Sequence, residues 1–212
     1  MKLILASDLS FLLKYGYDLT GISKSDIKIG RIITASKGEG EKTQLFIKKV
    51  KDTIIENGYS IEDIDIKDKS EEEIRNFFKD KNVIHVEGGN TYYLLKVIKE
   101  SGFGEILKEL LEDGKVYIGT SAGAYIMCPT IEVTGWKRDE SDVNDYGVTD
   151  LTAFNYVPFV LKVHYEDKEE ELVKEKIKTL KYPLHILRDG QAILVEDGNY
   201  KFVGDGEEVK LN

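Results

Sequence analysis

Apolar residues along this chain alternate between short unbroken runs and longer segments with helical spacing. The short β-prone runs fall at residues 3–6, 31–35, 59–66, 83–86 and 116–118, and the amphipathic segments at residues 43–57, 71–79, 91–100 and 104–111. In the segment 43–57, Leu45, Phe46, Val50, Ile54 and Ile55 share one helical face, with lysines on the other. Strands that read as continuous apolar runs, each followed by a helix, predict an α/β fold: a mostly parallel sheet with helices on both faces. The pattern changes after Pro129. Residues 131–134 and 157–163 read as strands, 135–146 as a polar loop and 166–180 as an acidic, lysine-rich helix. Short apolar runs at 184–187, 192–195 and 200–203 are separated by Asp189-Gly190 and Asp197-Gly198, dipeptides that favour hairpin turns. The last third is therefore expected to add an antiparallel C-terminal extension to the same sheet. With no linker or internal repeat in view, the 212 residues suit one α/β domain over 1–212.

Composition narrows the partners. A net charge of -9 argues against nucleic acid as a ligand. Cys128 is the single cysteine, so no intrachain disulfide forms, which fits a reducing compartment. The apolar run at residues 3–6 is too short for a signal-peptide core, and no stretch approaches membrane-spanning length. A cytoplasmic protein without a membrane partner is expected, its oligomeric state left open. No cluster has metal-ligand spacing and no cofactor is expected. Gly38-Glu39-Gly40-Glu41-Lys42-Thr43 fails the spacing of a phosphate loop, and its glutamates would repel phosphate.

The chemistry concentrates at Val116-Tyr117-Ile118-Gly119-Thr120-Ser121-Ala122-Gly123-Ala124, a β-prone run followed at once by Gly-x-Ser-x-Gly and helix-prone residues. That is the layout of a nucleophile elbow, a sharp strand-to-helix turn that lifts the serine hydroxyl clear of the backbone. The free N–H groups of the following helix face the place where negative charge develops. Ser121 is thus the candidate nucleophile, and it needs a base. His85 and His185 lie inside apolar runs and read as core residues. His164 ends the run 157–163 and precedes polar Tyr165-Glu166-Asp167, so it is the candidate base. Asp189 is the candidate third member, although Asp-Gly is also a turn dipeptide in its own right, and Glu166 and Asp167 stay open as partners. Ala122 and one of Gly88 and Gly89 are the candidate oxyanion donors. Asn90 and Thr91, next along, either cap a helix or touch substrate. Trp136 and Arg138 in the polar loop are substrate-binding candidates or members of a solvated loop. Cys128 reads as a small buried hydrophobe.

The order Ser121, His164, Asp189, with Gly88-Gly89-Asn90-Thr91 upstream and Gly119-Thr120-Ser121-Ala122-Gly123-Ala124 at the elbow, resembles the dipeptidase E and cyanophycinase family of serine peptidases. The resemblance spans nearly the whole chain, from the run 31–36 through Cys128-Pro129-Thr130-Ile131 to Leu187-Arg188-Asp189-Gly190. It implies a flavodoxin-like fold similar to class I glutamine amidotransferases, with serine in place of cysteine at the elbow. It also implies Ser121 as nucleophile, His164 as base, Asp189 as third member, Gly89 and Ala122 as oxyanion donors, and a small peptide or amide as substrate. The chain departs from the family in three places. Asp189 stands where dipeptidase E has glutamate, Val163 precedes the histidine where proline is usual, and residues 167–178 lack the arginine that an acidic N-terminal residue would require. An esterase or amidase on a non-peptide substrate, or a non-catalytic ligand-binding module, would use the same fold.

Overall fold

The computed structural model describes residues 1–15, 17–37, 41–136 and 144–211, without the side chains of residues 41–44 and 46. Among the described residues there are nine strands: β1 (Lys2–Ala6), β2 (Lys28–Ile32), β3 (Ser60–Ile64), β4 (Val83–Val86), β5 (Val116–Thr120), β6 (Val160–Lys162), β7 (Leu184–Ile186), β8 (Gln191–Glu196) and β9 (Asn199–Gly204). Seven form one sheet in the order β3-β2-β4-β5-β1-β8-β9. The first five in that order are parallel, while β8 and β9 extend the sheet antiparallel to β1 and to each other.

Alternation along β1 shows how the two faces are filled. Leu3 and Leu5 point into one buried cluster and Ile4 and Ala6 into the other. Helices α4 (Glu71–Phe78), α5 (Thr91–Ser101) and α6 (Phe103–Glu112) cover the first face. On the second lie α1 (Leu9–Tyr15) and α3 (Glu41–Glu56), which follows the short α2 (Thr34–Lys37). The fold class is therefore the one expected: α/β, with a mostly parallel sheet and an antiparallel C-terminal extension.

Five local expectations need correction. Strand β2 begins at Lys28 rather than at residue 31, because exposed Lys28 and Gly30 interrupt the apolar run that marks a strand. Gly30 makes room for Phe78, whose ring carbon would lie 2.5 Å from a Cβ there. Residues 131–134, expected as a strand, belong to a chain that turns into a 3-10 helix at Glu132–Trp136, where Val133 and Trp136 are buried in the core. The run 157–163 yields only β6, which pairs in parallel with β7 as a separate two-stranded sheet. Asp189-Gly190 accordingly joins two different sheets and does not close a hairpin. Asp197-Gly198 does close one, with φ of 48° and 82° at its two residues, as a tight two-residue turn requires. The expected helix over 166–180 is a 3-10 turn at Asp167–Glu169 followed by α8 (Glu170–Ile177).

Candidate active site

Strand β5 is buried along its whole length and runs straight into Ser121, after which α7 (Ala122–Tyr125) begins. Ser121 has φ 51° and ψ -110°, a conformation costing on the order of 1–3 kcal/mol for a residue with a Cβ. Two glycines enforce it. A Cβ on Gly119 would lie 2.3 Å from the Gly123 carbonyl oxygen, and a Cβ on Gly123 would lie 2.1 Å from the Val86 carbonyl oxygen. Both contacts are with backbone, which cannot rotate away. The Tyr117 hydroxyl donates to the Gly123 carbonyl at 2.7 Å and ties the turn to its own strand. The Ser121 N–H continues the ladder of β1 by donating to the Ala6 carbonyl at 3.0 Å.

His164 stands two residues beyond β6, itself in a left-handed conformation with φ 53°. Its Nε2 lies 2.9 Å from Ser121 Oγ, and its Nδ1 lies 2.6 Å from Asp189 Oδ1. An ionised carboxylate only accepts, so Nδ1 carries the hydrogen and Nε2 is left to accept from the serine hydroxyl. The segment around His164 is braced from within. Fully buried Lys162 donates to the Val163 carbonyl at 3.1 Å and pairs with Glu169 at 2.9 Å. The same Glu169 carboxylate accepts from the Glu166 N–H at 3.0 Å. Glu166 and Asp167, left open as partners of His164, point elsewhere: Glu166 pairs with Lys168 and Asp167 with Arg188.

The turn that carries Asp189 is pinned by the end of β1. Asp8 Oδ1 accepts from the Gly190 N–H at 2.9 Å. Ser7 Oγ lies 3.0 Å from Asp189 Oδ1 and accepts from the His164 N–H at 2.9 Å. Ser7 carries no sequence signal beyond its place at the carboxyl end of a strand, the edge at which ligands gather in such sheets.

Opposite the imidazole, β4 leads into Glu87-Gly88-Gly89-Asn90. The Gly88 carbonyl accepts from Ser36 Oγ at 2.6 Å, and the Asn90 N–H donates to the Ala35 carbonyl at 3.1 Å. A Cβ on Gly88 would come within 3.0 Å of Ser121 Cβ, so this backbone passes directly against the serine. Gly89 has φ 136°, and a Cβ there would sit 2.5 Å from the Ala35 carbonyl group. Asn90 caps α5, its side chain accepting from the Tyr93 N–H at 2.9 Å, and Thr91 is the buried first residue of that helix. Trp136 is buried in the core cluster at the end of its 3-10 helix. Arg138 and residues 38–40 lie outside the described residues.

Beneath this edge sits a buried polar cluster. Arg31 holds Asp63 in a two-point ion pair, with Nε–Oδ1 at 2.9 Å and Nη2–Oδ2 at 3.0 Å. Its Nη1 lies 3.5 Å from Glu87 Oε2, and neither atom has a hydrogen-bond partner among the described residues. Burial raises the Glu87 carboxyl from 4.5 to about 7, against the opposing pull of Arg31. A carboxyl raised in this way binds more protons folded than unfolded, so its contribution to stability falls as pH rises from 4.5 through 7. Glu87→Gln, which cannot ionise, is expected to gain on the wild type across that window, by of order 3 kcal/mol at its upper end. Thermal unfolding of both proteins from pH 4.5 to 8 checks this; a difference in Tm that does not vary with pH contradicts it.

The remaining candidates separate clearly. His85 is fully buried with Nε2 3.3 Å from Thr120 Oγ1, and burial lowers it to about 3, so it is a neutral core residue as expected. His185 is only half-buried, paired with Glu208 at 2.5 Å and packed edge-on against Phe159, rather than in the core. Burial pushes the Cys128 thiol up to about 12, consistent with a small inert hydrophobe.

The sequence model of Peptidase family S51 matches residues 22–203. The chain belongs to peptidase family S51. An uncharacterized peptidase of Pasteurella multocida is 30% identical over 94% of this chain and 99% of its own length. Peptidase E of Nostoc sp. is 27% identical over 76% of this chain and 67% of its own. A crystal structure of a protein from Listeria monocytogenes, described as a peptidase E, superposes with a TM-score of 0.80 at 26% identity, covering 97% of this chain and 98% of that one. This family S51 chain is accordingly a serine-type peptidase related to peptidase E. Among its described residues no helix is long and apolar enough to cross a membrane.

Proposed function

We propose that this family S51 peptidase cleaves a small peptide, in the manner of a dipeptidase, through Ser121, His164 and Asp189. The observation that carries the reading is the unbroken chain of contacts from Ser121 Oγ to His164 Nε2 at 2.9 Å and from His164 Nδ1 to Asp189 Oδ1 at 2.6 Å. Ser121 Oγ attacks the scissile carbonyl carbon as His164 Nε2 takes its proton. Asp189 holds the ring with Nε2 toward the serine and stabilises the imidazolium that forms. The oxyanion is received by the N–H of Ala122 and by an N–H of the Gly88-Gly89 pair, the latter supported by the close pass of Gly88 against Ser121. His164 then protonates the leaving amine, and water, deprotonated by the same ring, releases the acyl group. No metal or cofactor enters the cycle. Asn90, Thr91 and Trp136 are proposed to border the bound peptide. For Asn90 the support is its position beside Gly89, since its side chain already caps a helix. The lone buried cysteine supports action in the reducing cytoplasm.

Incubation of the purified protein with an Xaa-Yaa dipeptide library, read by mass spectrometry for free amino acids, tests the substrate class. Saturable release of both amino acids from a subset of dipeptides is expected. Turnover of acyl esters with every dipeptide left intact would move the assignment to an esterase.

A further inference from the structure

We propose that Ser7 is a positioning residue for the His164–Asp189 pair, and that both members lose their alignment without its hydroxyl. The proposal rests on the reading of Ser121 as nucleophile and adds a fourth side chain to the site.

Ser7 follows β1 at the carboxyl edge of the sheet, and it is fully buried. Its backbone N–H donates to the Gln191 carbonyl at 2.9 Å, which fixes it between the end of β1 and the start of β8. From that anchor its hydroxyl reaches two partners. Oγ accepts from the backbone N–H of His164 at 2.9 Å and lies 3.0 Å from Asp189 Oδ1. The directions are not free. A backbone N–H cannot accept and an ionised carboxylate cannot donate, so the single hydroxyl hydrogen goes to Asp189 while an oxygen lone pair takes the His164 N–H.

Each partner needs such a hold. The Asp189 side chain is 59% exposed, and water competes for it from the open side. The oxygen that Ser7 engages, Oδ1, is the same one that meets His164 Nδ1, so the hydroxyl fixes the rotamer that serves the imidazole. His164 has φ 53°, a conformation unfavourable for a residue with a side chain. The N–H that Ser7 accepts is part of what holds it there. The neighbouring Asp8 acts separately, on the Gly190 N–H. Ser7 thus joins the backbone of the base to the carboxylate of the third member through one atom at the carboxyl end of β1. It acts through those two residues, and its buried hydroxyl has both bonds within the protein.

The test compares wild type, Ser7→Ala, Asp189→Ala and the double variant by the second-order rate of Ser121 labelling with a fluorophosphonate and by dipeptide kcat and KM. Ser7→Ala is expected to fold, to label about 10- to 100-fold more slowly, and to lose kcat with KM nearly unchanged. In the double variant the combined loss is expected to be smaller than the product of the two single losses, because the side chains share one interaction. Ser7→Cys keeps the volume with a poor hydrogen-bonding group and is expected to fall in the same range; it serves if the alanine variant does not fold. Labelling of either Ser7 variant within about threefold of wild type, or fully multiplicative losses in the double variant, would overturn the proposal. A wild type inert toward the reagent would sink the reading of Ser121 itself, and the role of Ser7 with it, so the two failures look different.

Discussion

Ser121→Ala is expected to fold like the wild-type chain and to lose about 10⁵- to 10⁶-fold in kcat. The stability half of this expectation follows from what shapes the elbow. The positive φ at residue 121 is imposed by the contacts of Gly119 and Gly123 with backbone, and alanine meets the same strain as serine. The serine hydroxyl's hydrogen bond is to His164 Nε2, on a ring that keeps its second bond to Asp189. The loss of turnover follows from removing the atom that forms the acyl-enzyme. Residual hydrolysis over the uncatalysed rate would come from the N–H groups around the oxyanion and from substrate binding, which alanine leaves in place. Dipeptide turnover measured beside Tm checks both halves. Activity within tenfold of wild type would rule out the covalent route.

His164→Ala is expected to cost about 10⁴- to 10⁶-fold in kcat. A serine hydroxyl at neutral pH is a poor nucleophile, and neither other histidine is placed to take the departing proton. His85 is held neutral by burial and shares its Nε2 with Thr120, one residue short of the nucleophile. His185 is committed to Glu208 in the small two-stranded sheet. Asp189 would survive the change, still held by Ser7, but its contact with Ser121 runs only through the ring that is lost. A loss under tenfold would reassign the base, and His85 would then be the side chain to replace next.

How far these residues were legible in the sequence depended on whether their signal was local. The elbow is local: a buried strand, two glycines and a serine must be adjacent for the turn to form, so Gly119-Thr120-Ser121-Ala122-Gly123 announces itself. The parallel core was legible for the same reason, since strands buried on both faces leave unbroken apolar runs. His164 was legible through its place at the end of such a run. Asp189 was harder, because an Asp-Gly pair in a turn looks the same whether its carboxylate faces solvent or an imidazole. Here the turn joins two sheets, and only pairing between β6 and β7 reveals that. Ser7 and Lys162 were illegible. One is an ordinary serine after a strand, the other a lysine inside an apolar run, and each acquires its partners only when segments more than a hundred residues apart, or a tight local turn, are in place. Strand β2 was misplaced because exposed Lys28 and the small Gly30 break its apolar run, while Arg31, already within that run, gains its buried place from Asp63 on the neighbouring strand.

The central claim is that an imidazole at residue 164 activates the hydroxyl of Ser121. Mass spectrometry of the intact protein and its peptides after reaction with a fluorophosphonate tests it most directly. One adduct per chain, mapped to Ser121 and strongly reduced in His164→Ala, is the result expected. An unmodified protein, an adduct on a different residue, or undiminished labelling of Ser121 in His164→Ala would contradict it.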